Sequence, residues 1–350
     1  MPVLFPSDEL QRLRELTDPQ APKSIVITTH YKPDGDALGS SLGLMHVLNA
    51  AAHSAKVVSP SEFPSFLNWM SGSGSVVNFL SDPEASLKLF NQADFVFCLD
   101  FNDPSRVDRM ESLLTACTAP MVLIDHHLDP KPGFCNPVFS YPSHASTSEL
   151  MVHLIVALGF DHHISRDAAE CFYTGIMTDT GGFRFNSVSP GTHAAAARLL
   201  EAGCRNDLVH ERIYDGNSVE RLRLLGHTLL EKMRVHERFR TIVFSVSQEE
   251  MDRFHHAPGD LEGIVNYGLS VHGIRMSVLF SERDGLVKIS FRSKGAFSVK
   301  TIAERYFGGG GHRNAAGGRS EKSLEEAIQD FIAILPQFEH ELNESDGQVL

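Results

Sequence analysis

The stretch that decides the fold is Met121-Val-Leu-Ile-Asp-His-His-Leu-Asp-Pro130. Four apolar residues suited to a buried strand lead into Asp125, His126 and His127, and Pro130 prevents the strand from continuing. A carboxylate and two imidazoles are costly to place at the end of a buried strand unless something binds them. In open α/β sheets, binding and catalytic groups collect at such carboxyl ends. The stretch therefore predicts a functional site at the end of a sheet strand.

Strands alternate with helices on both sides of this stretch. Further strands are predicted at residues 24–29, 56–59 and 93–99, and helices at residues 38–52, from 104 onward, 146–158 and 166–178. This alternation is typical of a doubly wound, mostly parallel sheet. Residues 192–235 have an almost purely helical pattern, and strand patterns follow at residues 241–246, 275–280 and 286–292, with a hairpin signal at residues 283–285.

The length of 350 residues favours two domains over one compact core. We predict an α/β protein with an N-terminal doubly wound, mostly parallel sheet domain and a smaller C-terminal α/β domain, joined by a helical connector. The predicted bounds are residues 1–190 for the first domain, 191–235 for the connector, 236–340 for the second domain and 341–350 for a polar tail.

Composition excludes several classes of protein. The net charge of −13, from 31 basic and 44 acidic residues, argues against a broad basic surface that binds long nucleic acid. The five cysteines form no C-x-x-C pair and are odd in number, which is typical of thiols in a reducing cytoplasm. No uninterrupted apolar run approaches the roughly 18 residues of a membrane span. We therefore expect a cytoplasmic protein that does not bind membranes.

Carboxylates follow three of the predicted strands. Asp34 and Asp36 come after the first strand, Asp100 after the third, and Asp125 ends the quoted strand. These strand ends lie on one edge of a parallel sheet, where so many carboxylates would repel one another without bound cations. Carboxylate oxygens with a few imidazoles and no thiolate suit Mn²⁺ or Mg²⁺. The excess of carboxylates predicts two metal ions that share one bridging Asp.

Each of these residues also has a simpler interpretation. A single Asp after a strand is usually a helix cap or a turn former, and an isolated His30 would be a surface histidine. The spacing His30-x-x-x-Asp34-x-Asp36 straight after an apolar strand favours a functional site instead. A second Asp-His-His run, at residues 161–163, lies between two predicted helices, and we assign it no function.

A second region of interest is Tyr306-Phe-Gly-Gly-Gly-Gly-His-Arg-Asn-Ala-Ala-Gly-Gly318. Consecutive glycines give an anion or nucleotide close access to backbone N–H groups, although glycines alone would indicate a flexible loop. The neighbouring cations favour phosphate or nucleotide binding. The predicted substrate-binding residues are Arg292, Ser293, Gly309, Gly310, Gly311, His312 and Arg313.

Together these motifs resemble those of the DHH phosphoesterases. The matching positions are His30-x-x-Pro-Asp34-x-Asp36, Asp100, Asp125-His126-His127 and Gly175-Ile-Met-Thr-Asp179-Thr-Gly, in that order. The stretch from Gly308 to Gly318 resembles the signature of the C-terminal DHH-associated domain. The resemblance covers roughly residues 20–335 and assigns catalysis to the first domain and substrate binding to the second.

The resemblance implies two Mn²⁺ ions per chain, with Mg²⁺ as the alternative. One ion would be held by His30, Asp34 and Asp100, and the other by Asp36, Asp100, His126 and Asp179. Only the resemblance gives Asp179 this role, since it follows a predicted helix. It also implies metal-activated hydroxide attack on phosphorus, with His127 beside the phosphate. Asp125 would orient the histidine pair, and Arg106 would contact phosphate.

The substrates implied are very short RNA oligonucleotides and 3′-phosphoadenosine 5′-phosphate, and a homodimer is the candidate assembly. Linear or cyclic dinucleotides and longer single strands are alternative substrates. The net charge of −13 argues against long single strands. A non-enzymatic nucleotide-binding module is the remaining alternative, which the complete ligand set argues against.

Overall fold

The computed structural model describes residues 5–257, 259–283 and 285–344. The chain forms two compact units, and the boundary between them lies between Gly216 and Asn217. This boundary falls inside the residues predicted as the connector. Residues 345–350 of the predicted tail, residues 1–4 of the predicted first domain and Asp284 of the predicted hairpin lie outside the described residues.

The first unit is built on a sheet of six parallel strands. The strands are β1 (Ser24–Thr28), β2 (Ser54–Ser59), β3 (Val77–Asn78), β4 (Phe95–Leu99), β5 (Met121–Asp125) and β6 (Val138–Ser140). Their order across the sheet is β3-β2-β1-β4-β5-β6. The chain thus builds outward from β1 in one direction and from β4 in the other, which is the doubly wound topology predicted.

Helices cover both faces of this sheet. They are α1 (Ser7–Leu16), α2 (Gly35–Ala50), α3 (Pro83–Gln92), α4 (Glu111–Ala116), α5 (Thr147–Leu158), α6 (Arg166–Asp179), α7 (Pro190–Glu201) and α8 (Asn206–Tyr214). Side chains alternate along each strand, so Ile25 and Ile27 pack against α2, α5 and α6, whereas Val26 packs with residues of α3 and α4. Strands buried on both faces explain the continuous apolar runs of the sequence.

Glycines allow α2 and α6 to approach closely. Gly35, Gly39 and Gly43 recur every four residues and so share one face of α2. A Cβ on Gly39 would lie 2.5 Å from the carbonyl oxygen of Cys171 on α6. A Cβ on Gly175 of α6 would lie 2.7 Å from Asp36 Oδ1 on α2. Larger residues would therefore push these helices apart.

The second unit has a mixed six-stranded sheet. Its strands are β7 (Met233–His236), β8 (Thr241–Val246), β9 (Met276–Arg283), β10 (Leu286–Ser293), β11 (Gly310–Gly311) and β12 (Ala315–Ser320). Their order is β11-β12-β10-β9-β8-β7, with only the β8–β9 pair parallel among these strands. The helices are α9 (Val219–Glu231), α10 (Gln248–Arg253), α11 (Ile264–Ser270), α12 (Val299–Tyr306), α13 (Leu324–Ile334) and α14 (Glu339–Asn343).

Several predicted elements differ from the structure. Gly310 and Gly311, predicted as loop, form a strand because they pair with Gly317 and Ala316. The helix expected from Pro104 begins as a 3₁₀ helix over Pro104–Met110. Strands β3 and β6 were not predicted, since two and three residues are too short to show a periodic pattern.

The residues predicted as a helical connector are not one element. Helices α7 and α8 belong to the first unit, and α9 belongs to the second. Strand β7 already begins at Met233, within the stretch predicted as helical. Within the described part of the chain, no helix is both long and apolar enough to cross a membrane.

Candidate metal centre

The predicted ligands meet where the strand order of the first sheet reverses. His30 lies two residues beyond β1, Asp100 directly follows β4, and Asp125 is the last residue of β5. Because β1 and β4 are neighbours whose following strands lie on opposite sides, a crevice opens at their carboxyl ends. The sheet topology therefore brings together residues that are distant in the sequence. His30 and Asp125, for example, are 95 positions apart.

Two helices supply the remaining carboxylates. Asp34 is the N-cap of α2, where its Oδ1 accepts hydrogen bonds from the backbone N–H groups of Asp36 and Ala37. Asp36 lies in the first turn of α2, and Asp179 is the last residue of α6. The close contact between these helices carries Asp179 to the same region. The four-residue glycine spacing of α2 is a sequence signal for that contact.

Asp100 lies at the centre of the cluster. Its Oδ2 is 3.5 Å from His30 Nε2, and its Oδ1 is 3.6 Å from His126 Nε2 and 3.8 Å from His127 Nδ1. His126 Nε2 is also 3.4 Å from Asp179 Oδ2. Asp100 has a φ of 65°, a backbone conformation that is strained for a residue with a side chain and that is often found at functional sites.

The candidate ligands form three overlapping groups, each with its donor atoms within 4.8 Å of one another. The groups are His30–Asp34–Asp100, Asp36–His126–Asp179 and Asp100–His126–His127. The third group shares Asp100 with the first and His126 with the second. The structure thus brings together all six residues predicted as metal ligands.

Backbone and carboxylate acceptors orient the three imidazoles. His30 Nδ1 lies 2.9 Å from the carbonyl oxygen of Tyr31, and His126 Nδ1 lies 3.3 Å from that of His144. Both rings therefore present Nε2 to the carboxylates, which is the usual arrangement of histidine ligands. Asp125 Oδ1 lies 2.7 Å from His127 Nδ1. Asp125 was predicted to orient both histidines, but its bond goes to His127, because His126 is already held by a backbone carbonyl.

The first two residues of α5 donate hydrogen bonds to two carboxylates of the cluster. Asp36 accepts hydrogen bonds from the backbone N–H groups of Thr147 (2.6 Å) and Ser148 (2.9 Å). The hydroxyl of Thr147 donates to Asp100 Oδ1 at 2.8 Å. A helix N-terminus favours negative charge, so it supports two buried carboxylates. The sequence analysis recognised the helix start at Ser146 but not this role of Thr147.

The pKa values of the cluster show how strongly its charges interact. Burial and the charge of Asp100 raise the pKa of Asp36 to about 7, and burial and Asp36 raise that of Asp179. Burial alone would lower the pKa of His30 and His126, but nearby carboxylates, Asp100 foremost, raise each to about 9. Protons therefore occupy the cluster at neutral pH unless cations replace them.

The remaining predicted catalytic residue lies beside the His30 loop. The carbonyl oxygen of Arg106 accepts a hydrogen bond from the N–H of Tyr31 at 2.8 Å, and the Arg106 side chain is exposed. This places the Arg106 backbone next to the loop that carries His30.

The predicted substrate-binding residues lie in the second unit. Ser293 is buried, and its hydroxyl donates to the carbonyl oxygen of Phe297. Asn314 donates to Ser293 Oγ at 2.9 Å and to the carbonyl oxygens of Gly295 and Phe297. Arg292 is partly exposed, whereas His312 and Arg313 are exposed. Asn314 thus ties the loop after β10 to the glycine-rich stretch, a role that was not predicted.

Two of the predicted glycines have structural roles. A Cβ on Gly309 would lie 1.8 Å from the carbonyl oxygen of Gly317, and one on Gly311 would lie 2.6 Å from that of Ala315. The N–H of Gly309 already donates to Ala303, so it is not available to an anion, contrary to expectation. A Cβ on Gly310 would meet nothing within 4 Å. Gly310 therefore has open space beside its backbone.

Comparison with known proteins identifies the family. The DHH family N-terminal domain model matches residues 24–176, and the DHHA1 domain model matches residues 242–341. A bifunctional oligoribonuclease and PAP phosphatase NrnA of Thermus thermophilus is 33% identical over 294 residues, which cover 84% of this chain and 83% of that protein. The chain belongs to the DHH family.

Two further proteins are similar to this DHH chain. A cyclic-di-AMP phosphodiesterase PdeA of Listeria monocytogenes is 26% identical over 95% of the chain, which spans only 49% of that protein. The crystal structure of an exopolyphosphatase-related protein from Bacteroides fragilis is 37% identical, with a TM-score of 0.95 and coverage of 98% of this chain and 100% of that one. The family membership makes this chain a metal-dependent hydrolase that uses divalent cations.

The donor set of the DHH centre suits such cations. Four carboxylates and two imidazoles converge without a Lys or Arg ion-pair partner among the described residues of the cluster. Asp36 and Asp100 are buried, Asp179 is partly exposed and Asp34 is exposed. Four carboxylates this close together favour bound positive charge, and oxygen-rich sites select Mn²⁺ or Mg²⁺. The residues present therefore fit the metal ions that the family implies.

Proposed function

We propose that this protein is a Mn²⁺-dependent phosphoesterase that hydrolyses very short RNA oligonucleotides and 3′-phosphoadenosine 5′-phosphate. The observation that carries the proposal is the overlap of the three ligand groups through Asp100 and His126. Overlapping groups favour two adjacent cations over two independent sites, and adjacent cations are typical of enzymes that hydrolyse phosphate esters. The similarity to the Thermus NrnA supports the substrates.

We assign each predicted ligand to one of two Mn²⁺ positions, with Mg²⁺ as the alternative ion. His30, Asp34 and Asp100 would hold the first ion, and Asp36, Asp100, His126 and Asp179 the second. Asp100 would bridge them, which is supported by its place at the centre of the cluster. When bound, the ions would supply Lewis-acid stabilisation of the phosphate and an acidified water as nucleophile.

The protein's own groups would position the phosphate. His127 is held at Nδ1 by Asp125, so Nε2 is the atom that it can present to substrate. A hydrogen bond from Nε2 to a phosphate oxygen or to the leaving oxygen would stabilise the charge that develops there. Arg106, next to the His30 loop, would contact an outer phosphate oxygen.

We propose that the second unit binds the nucleotide. Arg292, Ser293, Gly309, Gly310, Gly311, His312 and Arg313 would make these contacts, although the N–H of Gly309 is used within the protein. Few cations are involved, which suits short substrates with few phosphates and agrees with the net charge of −13. Under this proposal residues 1–190 form the catalytic domain and residues 236–340 the substrate-binding domain.

Cyclic or linear dinucleotide hydrolysis is the second candidate function. It is favoured by the 26% identity to the Listeria cyclic-di-AMP phosphodiesterase over 95% of this chain. The same metal centre would serve both activities, so only the substrate-binding residues would differ. The five cysteines are all free thiols, which supports a reducing, cytoplasmic location for either function. We also propose a homodimer, which light scattering on the purified protein tests.

One assay separates these candidates. Purified protein with Mn²⁺ is given a 5′-phosphorylated RNA dimer, an RNA 24-mer, 3′-phosphoadenosine 5′-phosphate and cyclic di-AMP, and the initial rates are compared. We expect the RNA dimer and the nucleotide bisphosphate to be hydrolysed fastest, and Asp100→Asn to abolish both rates. Faster hydrolysis of cyclic di-AMP would favour the second candidate. Rates unchanged in Asp100→Asn would contradict the metal centre itself.

A further inference from the structure

A second cluster of metal-ligand residues lies in the first unit, next to the metal centre. The candidate donor atoms of His144, Glu149 and His153 all lie within 4.8 Å of one another. His144 and Glu149 are 8% and 2% exposed, and His153 is half-buried. Glu149 and His153 are four residues apart on α5 and so share one face, whereas His144 comes from the preceding loop. None of the three belongs to the predicted ligand set.

Two buried nitrogens in this cluster lack a partner. Nδ1 of His144 and Nδ1 of His153 are inaccessible to solvent, and neither has a hydrogen-bond partner within the described structure. A buried polar atom without a hydrogen-bond partner destabilises the folded state. The two rings meet edge to face, with centroids 5.4 Å apart. A bound cation would accept the lone pair of an unpartnered imidazole nitrogen.

Glu149 has the orientation of a preformed ligand. Its Oε2 accepts hydrogen bonds from the backbone N–H of Ala145 and from the hydroxyl of Thr192, both at 2.9 Å. Outer contacts of this kind hold ligating carboxylates in place. Both bonds involve Oε2, which leaves Oε1 for another partner.

We propose that His144, Glu149 and His153 form a separate binding site for a zinc-type cation. Two imidazoles and one carboxylate are a donor set that zinc adopts, with Zn–N distances of about 2.0–2.1 Å and a fourth position for water. The neighbouring DHH centre has more carboxylates, so the two sites select different ions. This site would exist whether or not the proposed substrates are correct.

The cation would act on the metal centre through one backbone group. The carbonyl oxygen of His144 lies 3.3 Å from His126 Nδ1 and orients that ring. A cation bound to the His144 side chain fixes the loop that carries this carbonyl. The site therefore has a structural role, and its occupancy is measurable without following catalysis.

Cobalt titration tests the site. The full chain carrying Asp100→Ala and Asp179→Ala, which disable the DHH centre, is stripped with chelator and titrated with Co²⁺. We expect one bound Co²⁺ with the intense visible absorption of four-coordinate cobalt, displaced by one equivalent of Zn²⁺. Adding His153→Gln or, separately, His144→Gln removes this absorption. Circular dichroism confirms that each variant is folded.

Two results would overturn the proposal. One is the absence of a four-coordinate cobalt spectrum in the folded variant that retains all three residues. The other is a spectrum of equal intensity in His153→Gln and His144→Gln. Should the centre-disabled protein not fold, crystals of the wild-type protein soaked in Zn²⁺ decide the question at the zinc absorption edge. An anomalous peak within bonding distance of His153 supports the site, and no peak there refutes it.

Discussion

Asp125 Oδ1 lies 2.7 Å from His127 Nδ1, and the Asp125 side chain is completely buried. Such a bond places the hydrogen of a neutral imidazole on Nδ1 and directs Nε2 away from Asp125. Asp125 Oδ2 has no hydrogen-bond partner among the described residues, so the pairing with His127 is the main compensation for a buried carboxylate. The hydrogen bond between Asp125 and His127 therefore fixes the His127 imidazole beside Asp100.

Asp125→Asn tests the role of this hydrogen bond. Removing the charge weakens the hold on the ring, and we expect kcat to fall about 10- to 100-fold with the Mn²⁺ content unchanged. The matched control is Asp161→Asn, in the second Asp-His-His run, which forms an exposed 3₁₀ turn. Steady-state kinetics and metal analysis check both variants. An unchanged kcat would contradict a role for Asp125 in catalysis.

The hydroxyl of Thr147 gives a second prediction. It donates to Asp100 Oδ1 at 2.8 Å in a buried environment. Thr147→Val keeps the shape but removes a bond to a charged group, so Mn²⁺ affinity should fall about 10- to 100-fold. Thr147→Ser, which retains the hydroxyl, serves as the control. Electron paramagnetic resonance of free Mn²⁺ measures the affinity, and equal binding by both variants would refute the prediction.

The contact between α2 and α6 gives a third prediction. A Cβ on Gly175 would lie 2.0 Å from Ser148 Oγ and 2.7 Å from Asp36 Oδ1. Gly175→Ala should destabilise the first unit by about 1–3 kcal/mol and reduce Mn²⁺ binding, since the helices must separate. Gly74→Ala, in the same unit with nothing within 4 Å of the added Cβ, should do neither. Urea unfolding and Mn²⁺ titration distinguish them.

The sequence predicted the sheet because each strand carries its own local signal. Strands β1, β4 and β5 are apolar runs, and a polar residue stands at the last position or directly after it. Their ends, and with them His30, Asp100 and Asp125, could therefore be placed on one edge. The predicted fold class, with its doubly wound first sheet and smaller second sheet, is confirmed.

Residues whose position depends on tertiary contacts could not be placed in this way. Asp179 ends a helix, and its own sequence does not show which helix α6 packs against; the available signal is the glycine spacing of α2, about 140 positions earlier in the chain. The hydrogen bond from Thr147 to Asp100 joins residues 47 positions apart. The glycines after α12 have no strand pattern in the sequence, because the close approach of Gly309 to Gly317 exists only once the hairpin has formed. Pairing between strands that are distant in the sequence leaves no local sequence pattern from which it can be predicted.

Metal binding should depend on pH with a definite sign. In the metal-free protein the pKa values of His30 and His126 are about 9, so both rings are protonated at neutral pH. Metal ions displace these protons, so affinity should rise as pH increases toward 9, with release at pH 8 of about two protons per chain, one from each histidine. Calorimetry in buffers of different ionisation enthalpy measures the release. Binding without proton release would contradict the predicted ligands.

The same shifts predict the stability of the metal-free protein. A histidine pKa raised above its unfolded value of about 6.5 stabilises the folded state fully below that pH. This stabilisation is lost as pH rises through about 9. Thermal unfolding of the chelator-treated protein should therefore occur at lower temperature at pH 9.5 than at pH 6.5. Saturating Mn²⁺ should reverse this trend, because the ions replace the protons.

Arg292 tests the proposed role of the second unit. Its guanidinium donates to the carbonyl oxygen of Phe291, and no carboxylate pairs with it among the described residues, so its charge is open to a phosphate. Burial lowers its pKa without removing its charge at neutral pH. Arg292→Gln should raise KM about 10-fold or more with little change in kcat, since a bond to a charged group contributes roughly 1.5–3 kcal/mol. Arg319→Gln, at an exposed position of the adjacent β12, is the control. A fall in kcat with KM unchanged would instead place Arg292 in the chemical step and contradict a role confined to binding.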